Sequence, residues 1–403
     1  MQVELPTSGA NHIINEDFDT SSHLAHARKQ AIERNYKDFL IVDVDCHHYE
    51  TERFAEIIEY IEDPILKQLA KSAQRTGKTL MARREGHQDM GGRVLRYPMR
   101  KTEKTPPGQD RDAALSHRYM NAFGVDYAVL FPTAMLSLGL HPQPEFEVSL
   151  AWAYNRWLVE RVLADNQPRI KSLLYLPFND PEASYEMVKA FAGKPGVVGF
   201  MVTTVRYKPV HDNVYMKVYR LMEEHNLPLA FHAGFNSADR SFEQANRFIT
   251  VHALGFTFYN MLNIFNWVVN GLPERFPKLK VIWLESGLAW LPFCMQRMDN
   301  EYMMRSSECP ALKKLPSEYI TDMFYGCQPM EMTANSEMLE QTFKFIKADT
   351  QLLYASDYPH WDFDAPSVIY DLPFLNESQK RAILGGNAQR VFNLPFTEKL
   401  AKI

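Results

Sequence analysis

The chain has 403 residues, of which 46% are hydrophobic and 12% aromatic, so it can bury a large core and is not intrinsically disordered. Its 44 basic and 49 acidic residues give a net charge of −5, which provides no electrostatic indication of nucleic-acid binding. No apolar run approaches the roughly 20 residues that span a bilayer, which excludes an integral membrane protein of the helical kind.

Residues 1–36 show no strong periodicity, and we expect them to form an arm that wraps the domain or a partner subunit. They lack the basic and apolar regions of a secretory signal. The four cysteines are widely separated and form no Cys-x-x-Cys pair. This spacing favours a reducing compartment, and we therefore expect a cytoplasmic enzyme.

Eight short apolar runs, alternating with amphipathic stretches, follow the arm. The runs are Phe39–Val44, Tyr127–Phe131, Ser172–Leu176, Val197–Val202, Leu227–Phe231, Val281–Leu284, Met323–Cys327 and Leu352–Ala355. The helical stretches include Asn155–Ala164, Asp180–Phe191, Val214–His225 and Asn335–Ile346. Strands that alternate with helices indicate parallel βαβ units. Eight of them predict an α/β chain whose residues 37–403 form a (β/α)8 TIM barrel.

A long polar insert, about residues 71–112, separates the first two predicted strands and is rich in Arg and Lys. In a barrel such an insert is a βα loop, which lies on the face where catalysis takes place. It is either a lid that brings cations to an anionic substrate or a solvated surface or oligomer contact.

The densest cluster of ionisable residues is IVDVDCHHYE, Ile41–Glu50. Asp43, Asp45 and His47 alternate, so on a strand they point to one side. Three ionisable groups in a barrel interior are costly unless they are paired or bind a metal. The segment therefore indicates either metal ligands or a hydrogen-bonded network of acids and histidine.

Two further strand ends carry polar residues: His232 in NLPLAFHAGF and Asp357 in LLYASDYPHWD. In a barrel the carboxyl ends of strands one, five and eight meet at one mouth. The acids and imidazoles of these three strand ends (Asp43, Asp45, His47, His232 and Asp357) thus predict an open site for one divalent metal ion. Such ligands suit Zn²⁺, which we expect, with Mn²⁺ or Fe²⁺ as alternatives.

The segment KVIWLESGLAWLPFCMQRMD places Glu285 at the end of the sixth strand. Glu285 is a candidate general acid or base, or a further ligand. Arg297, farther along, is a candidate to bind a substrate carboxylate, or else pairs with Asp299 or a neighbouring helix.

The combination of these segments resembles the amidohydrolase superfamily, in particular its amidohydrolase-related branch. The motifs that carry the resemblance are DVDCHHYE, His232, LESGLAWLP, SDYPHWD and GNAQRVFNL, and it extends from about Ile41 to Leu394. This branch includes aminocarboxymuconate-semialdehyde, γ-resorcylate and 5-carboxyvanillate decarboxylases.

The resemblance implies a (β/α)8 barrel with one metal ion at its mouth, bound by Asp45, His47, His232 and Asp357. It implies that Asp357 also accepts a proton in hydrolytic relatives, and that Arg297 contacts a substrate carboxylate. Glu285 stands where decarboxylating relatives usually have histidine, so His252 and His360 are candidates to take over acid–base catalysis. His252 is equally a helix-start residue packed under the rim. Tyr358 and His360, next to Asp357, are the remaining candidates for substrate contact.

We therefore expect a metal-dependent enzyme that acts on a small aromatic or unsaturated carboxylate by non-oxidative decarboxylation. The alternative is a hydrolase of an amide, lactone or other cyclic carbonyl compound that uses metal-bound water. A barrel that only binds its ligand is the third reading, against which the candidate ligands argue. We expect a small-molecule substrate, a homodimer or homotetramer, and no nucleic-acid or membrane partner.

Overall fold

Eight parallel strands form the central sheet of the computed structural model. Their bounds are Val42–His48 (β1), Tyr127–Pro132 (β2), Ile170–Tyr175 (β3), Val197–Thr203 (β4), Leu229–His232 (β5), Val281–Leu284 (β6), Phe324–Gly326 (β7) and Leu352–Leu353 (β8). They are hydrogen-bonded in sequence order from β1 to β8. The structure describes residues 17–18, 20–76, 99–100, 105, 107–163, 167–234, 236, 239–242, 244–332, 335–396 and 398–402.

Backbone hydrogen bonds between β1 and the segment that follows β8 close this sheet into a barrel. Val44 N donates to Tyr354 O at 2.9 Å, and His47 N donates to Tyr358 O at 2.7 Å. Asp357 N donates in the opposite direction, to Asp45 O, at 2.7 Å. The predicted (β/α)8 barrel is confirmed, and each of the eight predicted runs overlaps one strand.

The first strand lies later in the chain than predicted. It extends from Val42 to His48, whereas the predicted run is Phe39–Val44. Its pairing with β2 extends through His47, opposite Phe131, and His48, opposite Pro132. The polar residues remain in the strand because their side chains find partners inside the barrel mouth.

Nine helices of nine or more residues surround the barrel in the described part of the chain. They are Thr20–Glu33 (α1), Pro64–Arg75 (α2), Arg111–Phe123 (α3), Pro144–Arg161 (α4), Pro181–Phe191 (α5), Met216–Glu224 (α6), Phe248–Val269 (α7), Trp290–Arg305 (α8) and Ser336–Phe345 (α9). Shorter helices are Phe54–Ile57, Leu272–Arg275, Pro316–Ile320, Ala348–Gln351, Ser367–Tyr370, Glu377–Arg381 and Asn387–Phe392.

Asp180 and Asn335 cap the N-termini of α5 and α9 by accepting backbone hydrogen bonds, as their positions at the starts of two predicted helices suggest. Helix α4 starts at Pro144, eleven residues before the predicted start at Asn155. The earlier start follows from buried apolar residues such as Phe146 and Leu150, which continue the inward face.

The core lies inside the barrel and between the barrel and its helices. All six residues of β2 and all four of β5 are buried, as expected for a parallel sheet covered on both faces. Outside the barrel, the rings of Phe231 and Trp283 stack at 4.4 Å between β5 and β6. No helix in the described residues is long and apolar enough to cross a membrane.

The described part of the predicted arm is packed against its own chain. Arg118 on α3 donates to Thr20 Oγ1 on α1 at 3.0 Å, and Asp17–Phe18 pairs in parallel with Met99–Arg100 at the end of the insert. Most of the insert, with its basic residues, lies outside the described residues, as does the first part of the arm. The domain boundaries at 36 and 37 stay a prediction.

Candidate metal and active site

Four side chains from three parts of the sequence meet at the carboxyl end of the barrel. Asp45 and His47 point inward from β1, His232 ends β5, and Asp357 follows β8. All four are buried. The structure therefore brings together the four residues that the sequence predicts as metal ligands.

The distances among the ligand atoms of Asp45, His47 and His232 fit a single metal ion. Asp45 Oδ1 lies 3.2 Å from both His47 Nε2 and His232 Nε2, and the two imidazole nitrogens are 3.3 Å apart. Atoms that share one ion at about 2.1 Å lie roughly 3.0 to 3.4 Å from one another in octahedral or tetrahedral geometry. Asp357 Oδ1 lies 3.2 Å from His47 Nε2, but it is not part of the group in which Asp45, His47 and His232 are all close to one another.

The other nitrogen of each imidazole has a backbone partner. His47 Nδ1 is 3.0 Å from Pro132 O, and His232 Nδ1 is 3.0 Å from Ala233 O. Because a carbonyl only accepts, each Nδ1 carries a proton and each Nε2 is the atom left for a metal ion. Asp45 Oδ2 is buried and accepts no hydrogen bond from any described residue. The donor set therefore fits a divalent cation.

In the metal-free chain, protons occupy part of this site. Burial lowers the pKa of His47, but the carboxylates of Asp357 and Asp45 outweigh burial and hold that pKa well above its ordinary value. Burial acts to raise the pKa of Asp45, yet His232 and His47 hold it well below its usual range. A metal ion must displace the proton from His47, since only the unprotonated nitrogen is a ligand.

A second ligand-like group, formed by His47, Asp357 and His360, overlaps the first. Both groups use His47 Nε2, which has one lone pair and binds one ion. His360 Nδ1 lies 2.6 Å from Asp357 Oδ1, so His360 is a hydrogen-bond partner of a ligand. Its ring also stacks on that of His47 at 4.3 Å. The described residues thus form one candidate metal site with an imidazole at its edge.

Glu285 lies directly after β6 and against this cluster. Its Oε2 is 3.2 Å from His232 Nδ1, but that nitrogen donates to Ala233 O, and Oε2 has no hydrogen bond in the described structure. Burial, and next the charge of Asp357, raise the pKa of Glu285 well above its ordinary value. Asp357 behaves in the opposite way: burial acts to raise its pKa, but His360 and His47 lower it.

Both of these acids have a left-handed backbone, with φ of 55° at Glu285 and 60° at Asp357. For a residue other than glycine this conformation costs about 1–3 kcal/mol, and such strain is concentrated at functional sites. The backbone turns sharply where each strand ends and so directs both carboxyl groups into the mouth.

His252, on the first turn of α7, lies at the rim of the mouth. Its Nε2 is 3.6 Å from Asp362 Oδ2, and its ring centroid is 5.5 Å from that of Trp361. Burial lowers the pKa of His252, and Asp357 acts to raise it. His252 is therefore near the cluster but is paired with an acid that was not among the predicted site residues.

Gln328, two residues after β7, also belongs to the mouth and was missed by the sequence analysis. It is 1% exposed, and its Nε2 donates to Asp357 Oδ2 and to Asp362 O, each at 3.4 Å. Its Oε1 is buried without a hydrogen bond among the described residues, at a cost of about 1–3 kcal/mol if it stays unpaired. The sequence could have indicated Gln328, because it is a polar residue between an apolar strand and a proline, as is Asp357.

Two predicted substrate contacts lie elsewhere. Arg297 is on the outer side of α8, where its side chain is 56% exposed and its Nη2 is 3.3 Å from Glu301 Oε1. Tyr358 is 5% exposed, and its ring stacks on Tyr119 at 4.8 Å behind the mouth. Of the two alternatives for Arg297, the structure thus shows the ion pair and not a position at the mouth. Its partner is Glu301, whereas Asp299 was expected.

The family model described as Amidohydrolase matches residues 44–394. The γ-resorcylate decarboxylase of Polaromonas sp. strain JS666 is 23% identical over 254 residues, which cover 60% of this chain and 75% of the relative.

Two solved structures have the same fold. The 5-carboxyvanillate decarboxylase of Sphingomonas paucimobilis has a TM-score of 0.64 at 19% identity, covering 89% of this chain and 100% of the other. A dihydroxybenzoic acid decarboxylase from Polaromonas sp. JS666, with bound manganese and the inhibitor 2-nitroresorcinol, has a TM-score of 0.62 at 17% identity, covering 90% and 99%.

Proposed function

Because this chain belongs to the amidohydrolase family, we propose that it is a metal-dependent decarboxylase of a hydroxylated aromatic acid. The observation that carries the proposal is the pair of carboxyl groups with opposite pKa shifts at one mouth, Glu285 raised and Asp357 lowered. When the pKa values of two neighbouring acids are shifted in opposite directions, the acid with the raised pKa commonly donates a proton and the other stays charged. The names of the similar proteins support the same substrate class.

Asp45, His47, His232 and Asp357 are the proposed ligands. When bound, a divalent ion supplies positive charge for the carboxylate and the neighbouring hydroxyl of the substrate. Zinc, expected from the sequence, stays a prediction, and the manganese in a similar structure makes Mn²⁺ the second ion to test. Both ions suit two carboxylate oxygens and two imidazole nitrogens.

Glu285 is the proposed proton donor. Burial raises the pKa of its carboxyl well above the ordinary value, which favours the protonated form, and its Oε2 has no hydrogen bond among the described residues. In the reaction its proton passes to the ring carbon that bears the carboxylate. The bond between that carbon and the carboxylate then breaks, its electron pair returns to the ring, and CO₂ leaves. Glu285 regains its proton from solvent.

The neighbouring residues have supporting roles in this proposal. Asp357 keeps its charge and is fixed by His360, whose Nε2 in turn is 3.2 Å from Thr133 Oγ1. His360 and His252 are the proposed substrate contacts from the two sides of the mouth. Arg297 and Tyr358 have no part in it, because their described contacts are with Glu301 and with the aromatic core.

A metal-dependent hydrolase is the second candidate, and the lowered pKa of Asp357 favours it. A carboxylate that is charged at neutral pH can accept a proton from an attacking water. The products distinguish the candidates, since a hydrolase opens a lactone or cleaves an amide and releases no CO₂.

The deciding experiment measures CO₂ release from hydroxybenzoates by protein loaded with Mn²⁺ or Zn²⁺, for the wild type and Glu285→Gln. We expect CO₂ from the wild type and a loss of kcat on the order of 100-fold in Glu285→Gln, which keeps the shape but has no proton to give. Equal metal content in both proteins is the control. Hydrolysis of lactones or amides without CO₂ release would establish the second candidate.

A homodimer or homotetramer is also proposed. Its support is the row of exposed apolar side chains along α7, namely Ile249, Leu254, Phe258 and Leu262, which a partner subunit would cover. Light scattering at working concentration would contradict it by giving the mass of one chain. A cytoplasmic location stays a prediction from the cysteines.

A further inference from the structure

The side of the mouth next to β7 has a polar wall, of which only His252 has a role in the proposed reaction. Gln328 is its buried part, and His252 and Asp362 form its rim. The wall is continuous, because Gln328 Nε2 donates to the backbone carbonyl of Asp362 as well as to Asp357 Oδ2.

The orientation of the Gln328 amide follows from its neighbours. Both groups at 3.4 Å from Nε2, the Asp357 carboxylate and the Asp362 carbonyl, can only accept hydrogen bonds. The reverse orientation would place three acceptors together, so the nitrogen faces these oxygens and Oε1 faces away from them. Within the described chain, that oxygen has no donor. A ligand that brings a hydroxyl hydrogen would satisfy it.

The acidic side chains at the mouth discriminate among ligand groups. Asp45, Asp357, Glu285 and Asp362 all lie there, and imidazoles are their ion-pair partners among the described residues, without Lys or Arg. A ligand carboxylate has a place at the metal ion. A second carboxylate on the ligand would face Asp362 and the Oε1 of Gln328, which offer it only acceptor oxygens. A neutral hydroxyl can donate a hydrogen bond to either of them.

We propose that Gln328, together with the His252–Asp362 pair, forms a subsite that binds a neutral hydroxyl group of the substrate. The inference rests on the proposed function and narrows its substrate class. The preferred aromatic acid has one carboxylate and carries a further hydroxyl that reaches this wall. Aromatic acids with a second carboxylate at that position are excluded.

Binding of compounds that cannot lose CO₂ tests the subsite. 2-Nitrophenol has a nitro group in place of the carboxylate, and its four derivatives with one more ring hydroxyl adjacent to or remote from the nitro group probe the wall. Calorimetry on manganese-loaded wild type should show one derivative bound about tenfold more tightly than 2-nitrophenol. In Gln328→Met, which keeps the length of the side chain, the ratio between the affinities for that derivative and for 2-nitrophenol should fall to within about twofold, measured on protein whose metal content equals that of the wild type.

The control is Gln296→Met, the same change on the outer side of α8, where Gln296 bonds only within its helix, to Pro292 O. It should keep the preference. A second variant, Asp362→Asn, tests the subsite at its rim and leaves the buried Gln328 unchanged. It should improve binding of 4-hydroxy-3-nitrobenzoate or 3-hydroxy-4-nitrobenzoate, which carry an added carboxylate, by about fivefold or more relative to 2-nitrophenol.

The outcomes separate this inference from the proposed function when CO₂ release from hydroxybenzoates is assayed in parallel. A wild type without any hydroxyl preference, or a preference that survives in Gln328→Met, overturns the subsite even if CO₂ is released. A Gln328-dependent preference without CO₂ release from any hydroxybenzoate supports the subsite and refutes the decarboxylase.

Discussion

Asp43 and Ser356 join the first strand of the barrel to the segment that follows the last. Ser356 Oγ donates to Asp43 Oδ2 at 2.5 Å, and Ser356 N donates to Asp43 Oδ1 at 2.9 Å, across 313 positions of sequence. Asp45 N also donates to Asp43 Oδ1, at 3.2 Å. One buried carboxylate therefore fixes the spacing between Asp45 and Asp357, two of the proposed metal ligands.

Ser356→Ala should weaken both the fold and the metal site. The change removes a hydrogen bond to a buried carboxylate, so we expect the free energy of unfolding to fall by about 1–3 kcal/mol. Metal content after dialysis should also fall, because Asp357 is less firmly placed. Urea denaturation and elemental analysis measure the two effects. Ser137→Ala is the control, since Ser137 Oγ bonds within its own turn, to Ala134 O; equal effects of both changes would contradict the assigned role.

His232→Ala should abolish metal binding. We expect about one equivalent of metal in the wild type and almost none in the variant, because one of four ligands is lost. His225→Ala, an exposed histidine just before β5, is the matched control and should keep the metal. A wild type that stays metal-free after exposure to Zn²⁺ and Mn²⁺ would refute the ligand assignment.

The backbone strain at Glu285 can be measured by comparing two truncations. Glu285→Ala and Glu285→Gly both remove the buried carboxyl, but only glycine adopts a φ of 55° without steric cost. We expect the glycine variant to be more stable than the alanine variant by about 1 kcal/mol in urea denaturation, although glycine ordinarily destabilises. The opposite order would show that the left-handed turn carries no strain.

Glu147 should make stability depend on pH. Burial raises its pKa to about 7 in the folded chain, although Asn179 and Tyr175 donate hydrogen bonds to it. Between its ordinary pKa of 4.5 and about 7, the folded state holds a proton that the unfolded state has lost. Rising pH through this window therefore destabilises the fold, by about 3 kcal/mol in total for this group.

The measurement compares Glu147→Gln with the wild type at pH 5 and pH 8. Because glutamine does not titrate, the difference in free energy of unfolding should shift in favour of the variant as pH rises. Glu145→Gln, at an exposed position of the same helix, is the control for the change of charge. A difference that is constant with pH would show that Glu147 is ionised in the folded chain throughout.

The barrel, and the position of the proposed ligands at its mouth, could be predicted from the sequence because both depend on local patterns. Short apolar runs mark strands buried on both faces, and a polar residue at the end of such a run must lie at the mouth. Asp45, His47, His232 and Asp357 all follow this rule, and so does Glu285.

Contacts between distant elements could not be predicted in this way. Tyr358 is adjacent to Asp357 in sequence, but the turn directs its ring toward Tyr119 on α3. The sequence does not show whether Arg297 faces inward, because α8 has apolar and charged residues on overlapping faces. Asp362 was missed because its partner, His252, is 110 positions away, and the pairing depends on how α7 meets the loop after β8.

The closure of the barrel by its first and last strands has a consequence for the order in which the protein is made. A chain synthesised as far as Glu285 already contains Asp45, His47 and His232, yet it lacks β7, β8 and the backbone that holds β1 in place. The nascent protein therefore carries three of the four proposed ligands without fixed geometry, and the proposed site can select its ion only after the final strand has left the ribosome.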